Sequence, residues 1–256
     1  MRGENTVRED ELQRMYELED TYWWFVGRKA IISRLLRFLL PSRHRRRILD
    51  VGCGSGATML VLRQFGWVVG LDPSPAALSL SRSRGHTTLL QGDALRLPVR
   101  DESFDLVTAL DVVEHLPDDL GVLREFYRVL TPEEGMLLLT VPAYQFLWSE
   151  HDEALNHLRR YTAGELRKRV TAAGFTIRRL SYAITFLLPL AVIFRLAQRL
   201  VKRQRRPRTA LIELPAPLNS LFTGTLFLEA FLLPWLDFPG GVSVVCVAEK
   251  RCVQLA

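Results

Sequence analysis

Residues 49–56 read LDVGCGSG, an apolar strand that carries an acid near its end and breaks into three alternating glycines. Glycine lets a backbone turn sharply and approach a ligand more closely than any side chain would allow. A strand–glycine–helix junction of this kind offers backbone N–H groups and a helix N-terminus to a nucleotide. It points to an α/β fold with crossover helices and leaves the nucleotide open, because the run also satisfies the relaxed dinucleotide pattern with Ala57 in the last place.

The remainder of the chain supports that architecture. Strand patterns at 48–51, 67–71, 88–91, 104–110 and 136–141 alternate with helical ones at 58–65, 75–84 and 119–130, which implies right-handed crossovers and a parallel sheet. A helix at 166–173 and strands at 175–180 and 242–249 follow. At 256 residues the chain is long enough for one large domain with an insertion. The boundaries predicted are an N-terminal helical lid over 1–45, a core made of 46–180 and 242–256, and an insertion over 181–241.

Acids at successive strand ends narrow the choice of nucleotide. Asp72 ends the second strand 20 residues after Gly52, where a carboxylate can accept from both ribose hydroxyls. Asp93 follows the third strand, Asp111 follows the fourth, and Asp50 lies in the first. Four carboxylates make a negative crevice that would repel a pyrophosphate and favour a ligand bearing a sulfonium and an ammonium.

The stretches LDVGCGSG, VVGLDPS, LQGDALRLP, FDLVTALDVVEHLPD and GMLLLTVPA, in that order and spacing over residues 46–142, resemble the class I S-adenosylmethionine-dependent methyltransferases. The nearest likeness is to the broad bacterial group akin to quinone-biosynthesis methyltransferases. The resemblance implies a Rossmann-like seven-stranded sheet whose last strand is antiparallel, with helices on both faces, and S-adenosyl-L-methionine as cofactor. It implies roles as well: Asp50, Gly52, Gly54 and Gly56 around the methionine part, Asp72 on the ribose, Asp93 and Ala94 at the adenine, and Asp111 on the methionine side. The flanks, YWWF at 22–25 with Gly27 and Arg28, and 148–162, resemble uncharacterised bacterial methyltransferases with a hydrophobic C-terminal part.

Candidate chemistry clusters after the fourth and fifth strands. His115 is positioned for a general base, or for a histidine fixed by hydrogen bonds that shapes its loop. His151 and Asp152 stand in the loop that faces substrate in this fold, where they can contact the acceptor or assist proton transfer. Arg159 and Arg160 can bind a carboxylate or phosphate, or cap the next helix; Tyr161 and Trp24 complete the substrate-side candidates. His151 and His157 are six apart, wrong for one helix face, and no third ligand is evident in sequence, so no metal is expected. Cys53, Cys246 and Cys252 lack metal-ligand spacing and read as free thiols of a reducing compartment.

The insertion carries a second signal. Two apolar runs, 181–194 and 214–228 with an extension to Trp235, each fall short of the ~20 uncharged residues a membrane span needs. Lys202, Arg203, Arg205, Arg206 and Arg208 lie between them, within a chain of net charge +6. The expectation is a peripheral protein on the cytoplasmic, inner face of an anionic membrane, without a signal peptide, acting on an amphipathic or lipid-linked acceptor. The alternatives left open are a helical cap or homo-oligomer surface, a small soluble acid as acceptor, and a catalytically silent S-adenosylmethionine-binding scaffold. Nucleic acid is not expected, since 111–114 read DVVE where a base-methylating Asn-Pro-Pro-Tyr would stand, and stacking aromatics are missing.

Overall fold

Along the central strands, apolar side chains alternate between two layers, and the period of two decides what each layer contains. Leu49 and Val51 of β1 (Arg46–Val51) face one core and Ile48 the other, just as Leu137 and Leu139 of β5 (Met136–Pro142) oppose Leu138. The computed structural model describes residues 8–40, 46–200, 209, 211 and 213–251. With β2 (Gly66–Asp72), β3 (Leu89–Gln91), β4 (Leu106–Leu110), β6 (Thr176–Ala183) and β7 (Ser243–Glu249), these strands form one seven-stranded sheet in the order β3-β2-β1-β4-β5-β7-β6. Pairing is parallel from β3 through β5; β7 runs antiparallel to both β5 and β6. The expected antiparallel last strand is thus present, inserted between its two predecessors.

One face is covered by α5 (Asp119–Val129) and α7 (Ala163–Ala172), whose Val122, Phe126, Leu166 and Val170 are fully buried. The other face carries α2 (Trp23–Leu39), α3 (Ala57–Leu62), α4 (Pro75–Ser83) and α9 (Ala216–Leu232). The packing of α2 on α9 depends on Gly27, where a Cβ would stand 2.2 Å from Leu226 Cδ1. Two details refine the expected N-terminal helical lid. It divides into α1 (Glu9–Leu18) and α2, with an extended Tyr22 between them. Arg84 holds that turn by donating to Glu19 Oε2 (3.0 Å) and Asp20 Oδ2 (2.8 Å), and Ser55 of the glycine loop also donates to Glu19. Secondly, α2 is as much core as lid, because it buries Ile31, Ile32, Leu35 and Leu36.

The insertion likewise belongs partly to the core. Leu226, Ala230 and Leu233 are buried with α2, while α8 (Leu188–Leu200) lies over the strand ends. Glu229, the one acid in the second apolar run, is fully buried and accepts from the backbone N–H groups of Ile184, Thr185 (2.8 Å) and Phe186 (3.3 Å). No described helix is long and apolar enough to cross a membrane. The basic cluster at 202–208 and the arginines at 43 and 45 lie outside the described residues.

Candidate active site

The carboxyl ends of β1, β2 and β4 open on a cavity of about 680 Å³, a volume typical of small-molecule sites. Its floor is the glycine loop, tied to β2 where Gly52 N and Cys53 N donate to Leu71 O at 2.7 and 3.0 Å. Gly52 has φ +67°, and a Cβ there would lie 2.5 Å from Val112 Cγ2. Gly54, at φ +55°, lines the cavity with nothing within 4 Å of a Cβ position, so a side chain would project into space a ligand needs. Asp72 also lines the cavity; its Oδ2 accepts from Gly54 N (3.0 Å) and its Oδ1 from Ser74 N (2.8 Å). Burial raises the Asp72 carboxyl above its ordinary value, against the pull of those two N–H groups.

Asp93 and Ala94 line the same cavity beyond β3, with Asp93 Oδ1 accepting from Leu95 N at 2.9 Å. Asp111 lines it at the end of β4 in a left-handed backbone conformation (φ 58°), which a short acidic side chain tolerates. It is paired with Arg28, a cavity-lining residue of α2 that the sequence analysis gave no role; Thr140 Oγ1 donates to Asp111 Oδ1 (2.9 Å) and accepts from Arg28 Nη2 (3.1 Å). Trp24 lines the cavity one helical turn earlier, with the Arg28 guanidinium 6.0 Å from its ring centroid.

Two expected ligand residues stand elsewhere. Asp50 is buried behind the cavity wall, where Oδ1 accepts from Thr108 Oγ1 at 2.6 Å; burial first, then the charge of Asp72, push its carboxyl up to about 7. Gly56 (φ +80°) caps α3 outside the lining, and its carbonyl accepts from His86 Nε2 at 2.9 Å. A Cβ at Gly56 would come 2.4 Å from Ser81 Oγ, so packing between helices requires this glycine.

The segment after β5 departs most from expectation. Asp152 lies in a short helix, α6 (Glu150–Ala154), fully buried and held by Arg160, with Nε donating to Oδ1 at 2.7 Å and Nη2 to Oδ2 at 3.0 Å. His157 Nδ1 sits 2.9 Å from the same Oδ1. Burial would raise the Asp152 carboxyl, but His157 and Arg160 hold it below the usual carboxylate range, which makes it a fixed anion and a poor proton carrier. Arg160 lines the cavity with its guanidinium already spent on Asp152 and Ala143 O (3.0 Å). Arg159 and Tyr161 face away: both reach Asp119 Oδ2, at 3.3 and 3.1 Å, and neither lines the cavity.

The structure brings His115, His151 and His157 to one wall of the cavity. Burial pushes His115 down to about 4, helped by His157, and pushes His151 down to about 3, helped by Arg195. At neutral pH both rings are uncharged. Glu114, fully buried beside them, completes a cluster with His115 and His157 whose ligand atoms lie within 4.8 Å of one another. His157 thus meets two donor residues from the turn after β4, which its spacing from His151 does not reveal. The other wall is built by the insertion: Leu187, Leu190, Ala191, Phe194 and Arg195.

This cavity fits S-adenosylmethionine. Carboxylates of Asp72 and Asp93 stand where hydroxyl and amine donors can be met, Gly54 leaves room, and Arg28 and Asp111, ion-paired with each other, bring both signs of charge that a zwitterionic amino acid could share. Residues 49–139 match the model of a methyltransferase domain. A probable S-adenosylmethionine-dependent methyltransferase of Mycolicibacterium smegmatis is 31% identical over 167 residues, which make up 62% of each protein. The ubiquinone biosynthesis O-methyltransferase of Hahella chejuensis is 30% identical over 140 residues, covering 52% of this chain and 54% of that one. The chain thus spans less than two thirds of the curated relatives it matches. A solved S-adenosylmethionine-dependent methyltransferase from Thermotoga maritima shares the fold, with TM-score 0.58 over 93% of this chain and 97% of that one at 21% identity.

Proposed function

We propose that this chain, whose core is a class I S-adenosylmethionine-dependent methyltransferase domain, transfers a methyl group to an amphipathic, lipid-linked acceptor at the surface of an anionic membrane. One observation carries the acceptor reading: the apolar cavity wall reaches the surface on α8. Leu190 lines the cavity and is 47% exposed, and Ile193 on the same helix is 65% exposed; α9 separately exposes Phe227 and Phe231, with Trp235 beyond its end. An acceptor with an oxygen-bearing head and an apolar tail can put the head at the histidine wall and leave the tail along α8. Exposed apolar residues grouped along a helix suit an interaction surface, and five basic residues between 202 and 208 supply charge for anionic headgroups.

Bound here, the cofactor would supply an activated methyl group on a sulfonium. What the chain contributes is position and dryness. Asp72 and the glycine loop hold the nucleoside end, and Arg28 with Asp111 holds the amino-acid end. Trp24 of α2 and Leu190 and Phe194 of α8 line the cavity with apolar surface. Arg195, which burial and then Arg160 hold down at about 10, keeps a positive charge at the acceptor side at neutral pH.

The test combines two measurements. Methyl-labelled S-adenosylmethionine, incubated with the protein and a total bacterial extract, should label the organic-solvent phase. The protein should float with phosphatidylglycerol vesicles and release on Phe227→Glu with Phe231→Glu. Label confined to the aqueous phase, or no flotation with vesicles of any composition, overturns the acceptor reading.

A further inference from the structure

We propose that Glu114, His115 and His157 form a site for one divalent transition-metal ion of the zinc type in the cavity wall. The geometry is that of three donors brought together from two loops, the turn after β4 and the segment after α6, with ligand atoms within 4.8 Å of one another. Zinc bonds of ~2.0–2.2 Å place tetrahedral donors about 3.3 Å apart. The cluster therefore has to close by at most about 1.5 Å.

Glu114 is the independent observation. Its side chain is fully buried, and neither carboxylate oxygen has a hydrogen-bond partner. The nearest opposing group is His157 Nε2 at 4.0 Å from Oε1. A buried carboxylate with no donors is costly, and a cation shared with the two imidazoles removes that cost.

His157 is prepared for the same task. Its Nδ1 faces Asp152 Oδ1 at 2.9 Å, and Asp152 is locked by the two-pronged contact from Arg160. A proton on Nδ1 leaves the Nε2 lone pair directed at Glu114, and a carboxylate behind a histidine is how metal-bound imidazoles are oriented. The His115 and His157 rings stand edge to face with centroids 4.7 Å apart. Two imidazoles with one carboxylate favour zinc, iron(II) or cobalt over magnesium or calcium.

Glu114 lies behind the wall, whereas His115 and His157 face the cavity. An ion held there would have protein on one side and an open position on the other, as catalytic zinc sites do. Resting on the methyltransferase reading above, that position is where an acceptor oxygen would be held and polarised.

The experiment is a titration of chelator-stripped full-length protein with zinc against a competing chromophoric chelator, with cobalt(II) absorption as a second readout. One equivalent is expected to bind, with visible cobalt bands of a four- or five-coordinate site. Glu114→Gln and His157→Gln should each weaken zinc binding by about 100-fold or more, and Asp152→Asn by ~10–100-fold. His86→Gln, in a buried site next to Gly56, should leave it unchanged. Far-UV circular dichroism and cofactor affinity of the stripped variants report folding separately, and His115→Asn replaces any variant that fails that check. Absence of a stoichiometric site, or zinc binding that survives both Glu114→Gln and His157→Gln, overturns the proposal. Cofactor binding without metal would leave the methyltransferase reading intact.

Discussion

Replacing Glu229 by alanine tests whether the insertion is built into the fold. The side chain is fully buried in α9 and accepts from three consecutive backbone N–H groups, those of Ile184, Thr185 and Phe186. Truncation orphans all three. A buried donor left unsatisfied costs ~1–3 kcal/mol, and a charged acceptor raises the figure. Two reductions apply: Thr185 and Phe186 are partly exposed and can regain water, and the penalty for burying the carboxylate itself disappears with it. The expected net loss is about 3 kcal/mol, a large share of the ~5–15 kcal/mol that keeps a domain folded. Glu229→Gln, which keeps one carbonyl acceptor, should lose roughly half as much. Urea unfolding gives the stability difference and amide exchange at 184–186 gives its place. α8 starts at Leu188 and carries Leu190 and Phe194 on the cavity wall, so acceptor KM should rise more than cofactor KM. A loss under about 1 kcal/mol with unchanged exchange at 184–186 would refute the reasoning.

Asp72→Ala should weaken cofactor binding by ~10–100-fold in calorimetry, the loss of a charge-assisted hydrogen-bond pair of about 1.5–3 kcal/mol; unchanged affinity would remove Asp72 from the site. Asp50, pushed up to about 7 by burial, holds a proton in the folded state that the unfolded chain releases near pH 4. Its stabilising contribution is full below that lower value and is lost as pH rises through about 7. Melting temperature of the stripped protein should therefore fall between pH 5 and 8, and Asp50→Asn should flatten the slope; parallel curves would contradict the burial argument. Gly27→Val should cost ~1–3 kcal/mol by forcing Leu226 away from α2. Leu226→Ala in the same chain should recover part of that, and additive losses in the double variant would show that the two residues do not share the contact.

The sheet was legible because its signals are local. Each strand carries its own apolar run, and the glycines at 52, 54 and 56 sit at positive φ as a strand-to-helix loop requires. Asp72, Asp93, Ala94 and Asp111 were legible for the same reason, since a strand end is a position in sequence as well as in space. What failed was tertiary. Asp152 and Arg160 read as substrate ligands until each is seen to neutralise the other across α6. Arg28 had no assigned role because its partner, Asp111, lies 83 residues away. Glu114 was not paired with His157 for a related reason: 43 residues separate them, and the return of the chain past β5 brings Leu158 N to donate to Glu114 O at 2.9 Å. The insertion misled in a different way. Its apolar runs suggested surplus hydrophobicity, yet Leu226, Ala230 and Leu233 cover a sheet face that α2 alone leaves open.

Topology explains how this insertion reaches the cavity. β7 is antiparallel to both neighbours, so β6 runs in the same sense as β1, β4 and β5. Ala183 therefore ends β6, and Ser243 begins β7, at the edge where the parallel strands release Gly52, Asp72 and Asp111. Any segment placed between β6 and β7 must leave and re-enter at the rim of the cavity. Lengthening a connection there costs little closure entropy, and it changes the acceptor side without touching the glycine loop, which belongs to β1 and β2. Asp72 and Gly54 thus stay fixed at one end of the cavity, while α8 lines the other through Leu190, Phe194 and Arg195. On the proposed reading, such a division would separate donor binding from acceptor choice, with function carried by segments mounted on a rigid sheet.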